Sequence, residues 1–298
     1  MTERDICGVL PVNKPAGMTS HDVVYKIRKL YGTKKVGHTG TLDPDARGLL
    51  IILIGRAAKA AEFVTAGKKV YRAGLRLGVT TDTEDTTGKV LTQCDDIPPK
   101  ESVLAAAEKF KGEIMQIPPM YSALKVNGQK LCDLARKGIT VEREARPVTV
   151  YSLDADGSGR DYTLDVCCSA GTYIRTLCAD IGAELGCGGA MSSLFRTQTG
   201  GFDISQSHTL EELTEKSQEE RDALLIPTEK LFEDLPCIML PAFYERLARN
   251  GAEIYQKKIG TRFPVGTLVR IHGKDGFFGI AKSEEYAEGS AVKIIKFL

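Results

Sequence analysis

The chain has 298 residues, 42% hydrophobic and 27% charged, with a net charge of +1. This is enough apolar content for a packed core, and the length allows about two domains. No apolar run approaches the roughly 20 residues needed to span a bilayer, there is no Asn-x-Ser/Thr sequon, and Met1-Thr2-Glu3-Arg4-Asp5 lacks a charged-then-apolar leader, so a cytoplasmic protein is expected.

Gly8-Val9-Leu10-Pro11-Val12-Asn13-Lys14-Pro15 reads as a short strand stopped by its proline. Thr19 or Ser20 can cap the next helix, which has Asp22 in its first turn, Val23, Ile27 and Leu30 at helical spacing, and Gly32 at its end. Gly37-His38-Thr39-Gly40-Thr41-Leu42-Asp43-Pro44 then puts a carboxylate in a glycine-punctuated turn. Gly37 and Gly40 permit backbone angles that a side chain forbids, and Pro44 holds Asp43 in extended or turn geometry. Leu-Asp-Pro alone is ordinary turn chemistry. Leu49–Ile54 follows at once, with the length and β-branching of a strand buried on both faces, a firm support for a reactive side chain.

A helix is predicted over Ala57–Thr65, and Lys68–Gly78 alternates like a half-buried strand. Asp82–Gly88 is an acidic turn. It superficially resembles a calcium loop, but the glycine is one place late and the closing glutamate is missing. A helix is predicted over 101–110. Residues 119–146 are basic and thin in apolar side chains, which predicts an extended, mobile excursion. Val148–Leu153 and Tyr162–Cys168 read as strands around a turn over Asp154–Gly159. Gly171-Thr172-Tyr173-Ile174-Arg175-Thr176 leads into a helix through Leu185, and Ser193–Thr197 reads as a strand. Residues 207–235 are acidic and helical in pattern. Pro236 and Pro241 mark a boundary, beyond which glycines punctuate short β runs such as Thr267–Ile271 and Ala291–Phe297, the pattern of a small appended barrel.

The eight cysteines form no Cys-x-x-Cys pair and the four histidines stand at no ligand spacing, so buried reduced thiols are expected and no metal. Phosphate-binding, dinucleotide, nucleophile-elbow and zincin motifs are all missing. Charge is uneven: residues 1–90 carry 15 Lys and Arg against 9 Asp and Glu, and residues 205–235 carry 3 against 9. The basic half surrounds the Asp43 turn, as a polyanion-binding face would. Cofactor-free chemistry on a carboxylate remains open, and so does a pure binding module.

Seven segments in order resemble the TruB family of tRNA pseudouridine synthases: Val12-Asn13-Lys14-Pro15-x-Gly17, Gly37–Pro44, Lys69-Val70-Tyr71-Arg72, Leu77–Thr83, Pro119–Lys125, Gly171–Arg175 and Leu194-Phe195-Arg196. The resemblance covers roughly residues 8 to 235, and the tail resembles a PUA-type RNA-binding barrel. Asp45 and Arg47 depart from the apolar and hydroxyl residues usual in the family.

The resemblance implies an α+β fold: a mixed, mostly antiparallel central sheet flanked by helices over 1–235, with a thumb at about 119–146, and a small PUA-like β-barrel over 236–298. It implies isomerisation of uridine 55 to pseudouridine in the tRNA T loop, the base being flipped out, with no cofactor and no metal. Asp43 would be the nucleophile, Arg175 its ion-pair partner, and Tyr71 the residue that stacks on uracil and takes part in C5 deprotonation. Tyr173 and Leu194 would line the uracil pocket, while His38 and Lys14 would contact substrate RNA. The expected partner is the T stem-loop of tRNA, with no membrane, no guide RNA or protein partner, and a monomeric enzyme. The alternative is a non-catalytic RNA-binding or tRNA-folding protein on the same scaffold.

Overall fold

A computed structural model describes residues 6–65, 67–126 and 128–298; Met1–Asp5, read above for a leader pattern, lie outside the described residues. Alternation along Lys69–Leu77 sets the inside and outside of the protein. Lys69, Tyr71, Ala73, Leu75 and Leu77 are buried, while Arg72 and Arg76 are exposed. This strand lies in the middle of a nine-stranded sheet. The sheet runs Gly8–Lys14, Arg47–Ile54, Gly189–Thr199, Lys69–Leu77, Asp161–Cys168, Arg146–Ser158, Gly112–Gln116, with two short strands, Val36–His38 and Phe202–Asp203, attached beside the path. All its pairings are antiparallel except Gly189–Thr199 with Arg47–Ile54, so the sheet is mixed and mostly antiparallel as expected.

Leu49–Ile54 is fully buried, as its composition predicted. Ser20–Tyr31 covers one face of it, through Val23, Val24, Ile27 and Tyr31. Its N-terminus is a reciprocal cap: Thr19 accepts from the Asp22 backbone and Asp22 accepts from the Thr19 backbone. Ile174–Glu184 packs its Ile174, Leu177, Cys178 and Ile181 against the core around Tyr71 and Val166.

Three expectations change. The turn foreseen over Asp154–Gly159 is mostly strand: Arg146–Ser158 pairs with Asp161–Cys168 as far as Ser158 opposite Asp161, because Ala155 packs on the core and the chain reverses only at Gly159 and Arg160. Residues 207–235 are not one helical run; capping boxes at Thr209/Glu212 and Ser217/Glu220 start separate short helices, Leu210–Glu215 and Gln218–Ala223. The basic excursion is not extended throughout. It holds a two-stranded hairpin, Lys125–Val126 with Gln129–Lys130, and a helix, Leu131–Arg136, anchored by buried Leu131 and Leu134. The tail is, as expected, a small curled β-sheet unit, a five-stranded half-barrel. Its order is Cys237–Met239, Leu268–Gly273, Gly276–Tyr286, Gly289–Phe297, Ile254–Tyr255, and the two end strands, only three and two residues long, do not pair with each other.

The half-barrel rests on the rest of the chain through Phe232, which packs with Ala60, Phe63, Phe277, Ile280 and Leu298. Beside it Glu229 accepts from Arg270 Nη1 at 2.8 Å and stands 2.7 Å from His272 Nε2. Among the described residues, no helix is long and apolar enough to cross a membrane.

Candidate active site

The Asp43 turn is fixed from both flanks. Leu42 and Ala46 are buried in the core that also holds Tyr71, leaving the carboxylate between them at the surface of a cleft. Lys14 lies beneath the turn, fully buried, and its ammonium donates to the carbonyls of Pro15 (2.8 Å), Pro44 (2.9 Å) and Ala46 (2.6 Å). Ser20 Oγ accepts from Leu42 N and donates to Leu42 O. Gly40 takes a positive φ of 84°, while Gly37 does not need one, being an ordinary residue of the strand Val36–His38. Gly48 is required for another reason. A Cβ there would meet the Arg196 carbonyl oxygen at 2.3 Å, where the two parallel strands approach.

Arg175 stands in the first turn of Ile174–Glu184 and is 6% exposed. Its Nε lies 3.0 Å from Asp43 Oδ2 and its Nη2 donates to Asp43 Oδ1 at 3.3 Å. The guanidinium also donates to Thr83 O (3.1 Å) and Tyr121 O (2.8 Å). The acidic turn Asp82–Gly88 is therefore a bracket for Arg175, held in shape by Asp85 Oδ1 accepting from Thr83 Oγ1, Thr87 N and Thr87 Oγ1. Burial pushes the Asp43 carboxyl above the usual carboxylate range, helped by Asp85, while Arg175 and Lys14 oppose it.

Asp43, Tyr71, Tyr173, Arg175 and Leu194 line one cleft of about 430 Å³, within the size range of small-molecule sites. Tyr71 is 7% exposed and faces Arg196 across the sheet; burial raises its hydroxyl pKa, with Arg196 opposing. Leu194 is the cross-strand partner of Ala73. Tyr173 precedes the helix, and Gln116 clamps its backbone, donating to Tyr173 O at 3.0 Å and accepting from Tyr173 N at 2.8 Å.

Two expected substrate contacts lie elsewhere. Lys14 is not on the cleft wall; the carbonyls of Pro15, Pro44 and Ala46 take all its donors, so it holds the backbone rather than RNA. His38 is half-buried on the strand beside the turn, outside the cleft lining, with Nδ1 buried and unbonded. Burial, then Arg196 and His21, lower its pKa. Sequence reasoning missed Lys69, Tyr121, Gln116 and Arg196 as parts of the site. For Lys69 the signal was present: it stands two residues before Tyr71 on the same strand and so on the same face.

A sequence model described as the TruB family pseudouridylate synthase N-terminal domain matches residues 28–174, and one described as the tRNA pseudouridylate synthase B C-terminal domain matches residues 175–233. The chain belongs to the TruB family. Curated relatives called tRNA pseudouridine synthase B include that of Alkaliphilus oremlandii, 42% identical over 296 residues and 98% of both chains. That of Clostridium tetani is 43% identical over 293 residues, 98% of this chain and 99% of its own. Among solved structures, a Cbf5-Nop10-Gar1 complex contains a chain with TM-score 0.75 and 29% identity, covering 97% of this chain and 84% of that one. An H/ACA RNP bound to a substrate RNA containing 2′-deoxyuridine contains one with TM-score 0.73 and 27% identity, at the same coverages. The chain is thus a TruB-family pseudouridylate synthase with the pseudouridine synthase fold. The two family models end before the half-barrel, at residue 233.

Proposed function

We propose that this TruB-family enzyme isomerises uridine 55 of the tRNA T loop to pseudouridine, with Asp43 as the catalytic carboxylate. The observation that carries the assignment is the Asp43–Arg175 pair at the surface of a cleft lined by Tyr71, Tyr173 and Leu194. Breaking the uracil–ribose bond develops positive charge at C1′, and a fixed carboxylate stabilises it as in glycosidases. The uracil then turns and rejoins the sugar through C5, and the C5 proton leaves to a base. Tyr71, stacked on the base, takes part in that step. Nothing is oxidised or consumed, so the reaction needs no cofactor.

A uridine inside a folded loop reaches this cleft only by being flipped out, at a cost of a few kcal/mol. Residues 119–146 serve as a thumb that closes on the loop; their base already touches the site, through the Tyr121 carbonyl on Arg175. His38, on the strand beside the turn and outside the cleft lining, meets RNA away from the flipped base. Residues 1–235 form the catalytic unit and 236–298 an RNA-binding unit carrying exposed Lys257, Lys258 and Arg262. The enzyme acts as a cytoplasmic monomer without guide RNA or partner protein. The alternative, a non-catalytic tRNA-folding protein, is disfavoured because a binder has no use for a desolvated carboxylate held by a buried arginine. Incubation of the purified protein alone with an unmodified tRNA transcript, followed by mapping of pseudouridine, tests the proposal. Modification confined to position 55 is expected; bound but unmodified tRNA would favour the alternative.

A further inference from the structure

Lys69 opens the strand Lys69–Leu77, two residues before Tyr71, and is 7% exposed. Its ammonium makes one hydrogen bond among the described residues, to Thr65 O at 3.3 Å. An ammonium carries three donors, so two are unused in a side chain more than nine-tenths buried. Among the described residues, no carboxylate acts on it. The charged or titratable groups that act on it are Arg196, a like charge, and Cys168, whose thiol burial pushes up to about 11 and so keeps protonated. The site's other buried cations are occupied: Lys14 by three carbonyls, Arg196 by Leu49 O and Gly40 O, and Arg175 by Asp43 and two carbonyls.

Placement makes the spare donors useful. A Cβ added to Gly40 would lie 3.8 Å from Lys69 Nζ and 3.5 Å from Arg196 Nη1, so both cations abut the turn that carries Asp43. Lys69, Tyr71 and Asp43 line the same cleft. A buried cation without a counter-ion is costly to keep, and one in a cleft marks a place where negative charge arrives.

We propose that Lys69 stabilises the uracil anion while the base is detached from the sugar. This rests on the cleft of Asp43 being the reacting site. When the C1′–N1 bond breaks heterolytically, its electron pair stays on the uracil and spreads over N1, O2 and O4. The positive charge left at C1′ is met by Asp43. The negative charge on the base is met by N–H donors of Lys69, which keeps its proton throughout. When C5 attacks C1′ the electron pair forms the C5–C1′ bond and the ring is again neutral; the C5 proton then leaves to the base of the site and N1 takes up a proton, so the product ring is neutral as well. Burial and the like charge of Arg196 lower the Lys69 pKa. An ammonium so poorly solvated gains strongly from an arriving anion.

The experiment compares wild type, Lys69→Met and Lys69→Gln in single turnover at saturating tRNA, with binding measured separately and folding checked by thermal unfolding. Two transcripts are used: one with uridine at the target, and one with 5-fluorouridine, whose base is the better-stabilised anion. Consumption of the target nucleoside is read by mass spectrometry after nuclease digestion. Lys69→Met is expected to lower the uridine rate about 100- to 1,000-fold with Kd changed less than about three-fold, and the loss should shrink at least about ten-fold on 5-fluorouridine. Lys69→Gln, which keeps a donor without the charge, should fall between and is the reference if the methionine variant does not fold. An equal loss on both transcripts, an unchanged rate, or a loss of affinity matching the loss of rate would overturn the inference. Asp43→Asn is run alongside. If it is inactive while Lys69→Met is active, only the Lys69 role fails; if both are active, the assignment of the cleft fails.

Discussion

Arg175 meets the Asp43 carboxylate edge-on, with Nε 3.0 Å from Oδ2 and Nη2 3.3 Å from Oδ1. The arginine is buried and its other contacts are backbone carbonyls of Thr83 and Tyr121, so it cannot follow Asp43 if the turn moves. The pair is a rigid reference for the carboxylate, unlike an exposed ion pair of two mobile chains.

Arg175→Ala is expected to lower the single-turnover rate by about 100-fold or more, because the carboxylate loses both its orientation and its nearest cation. A rate within about three-fold of wild type, measured at saturating tRNA, would show that the pair has no catalytic consequence.

The same variant has a pH signature. Folding raises the Asp43 pKa, so the carboxyl takes up a proton at a higher pH than an ordinary aspartate, whose reference value is 3.8. Activity needs the ionised form and is lost as pH falls through the raised pKa. Arg175 opposes the rise, so the acid limb of the rate profile should move to still higher pH in Arg175→Ala. A limb that stays in place or moves down would contradict this assignment of the titrating group.

Lys14→Met is expected to destabilise the protein by about 3 kcal/mol or more, since three carbonyls lose a charged donor inside the core. Thermal unfolding should fall by roughly 6–12 °C. The rate should fall too, because Pro44 O and Ala46 O, both released, flank Asp43. An unfolding temperature within about 2 °C of wild type would remove Lys14 as the support of the turn.

Much of this site was legible before any coordinates. The alternation that put Tyr71 inside and Arg72 outside was written in Lys69–Leu77, and the apolar block Leu49–Ile54 announced the strand beside the turn. The Asp43–Arg175 contact was legible only through resemblance, since 132 residues separate the two. Lys14 misled because a lysine in a loop motif has an exposed, RNA-binding default, and two of its three carbonyl partners come from a turn 30 or more residues away. The basic excursion misled because a few leucines suffice to anchor a short helix: Leu131 and Leu134 are buried within a charged sequence. The acidic turn has the look of a calcium loop, yet its Asp85 carboxylate organises backbone whose Thr83 carbonyl accepts from Arg175.

Asp180 gives a stability test. Burial and, secondarily, Glu84 raise its carboxyl from 3.8 to about 6. Its folded pKa lies above its unfolded one, so the stability it contributes is fully present below about 3.8 and is lost as pH rises through about 6. The gap in unfolding temperature between Asp180→Asn and wild type should therefore change in favour of the variant as pH rises from about 4 to 7. A pH-independent gap would contradict this.

The central claim is that Asp43 is the reacting carboxylate, and Asp43→Asn tests it most directly. The variant keeps the shape of the turn and removes the anion. In single turnover with saturating unmodified tRNA, the account predicts no pseudouridine above background and a Kd within about three-fold of wild type. Pseudouridine at position 55 formed at a near-normal rate by the pure variant would contradict it.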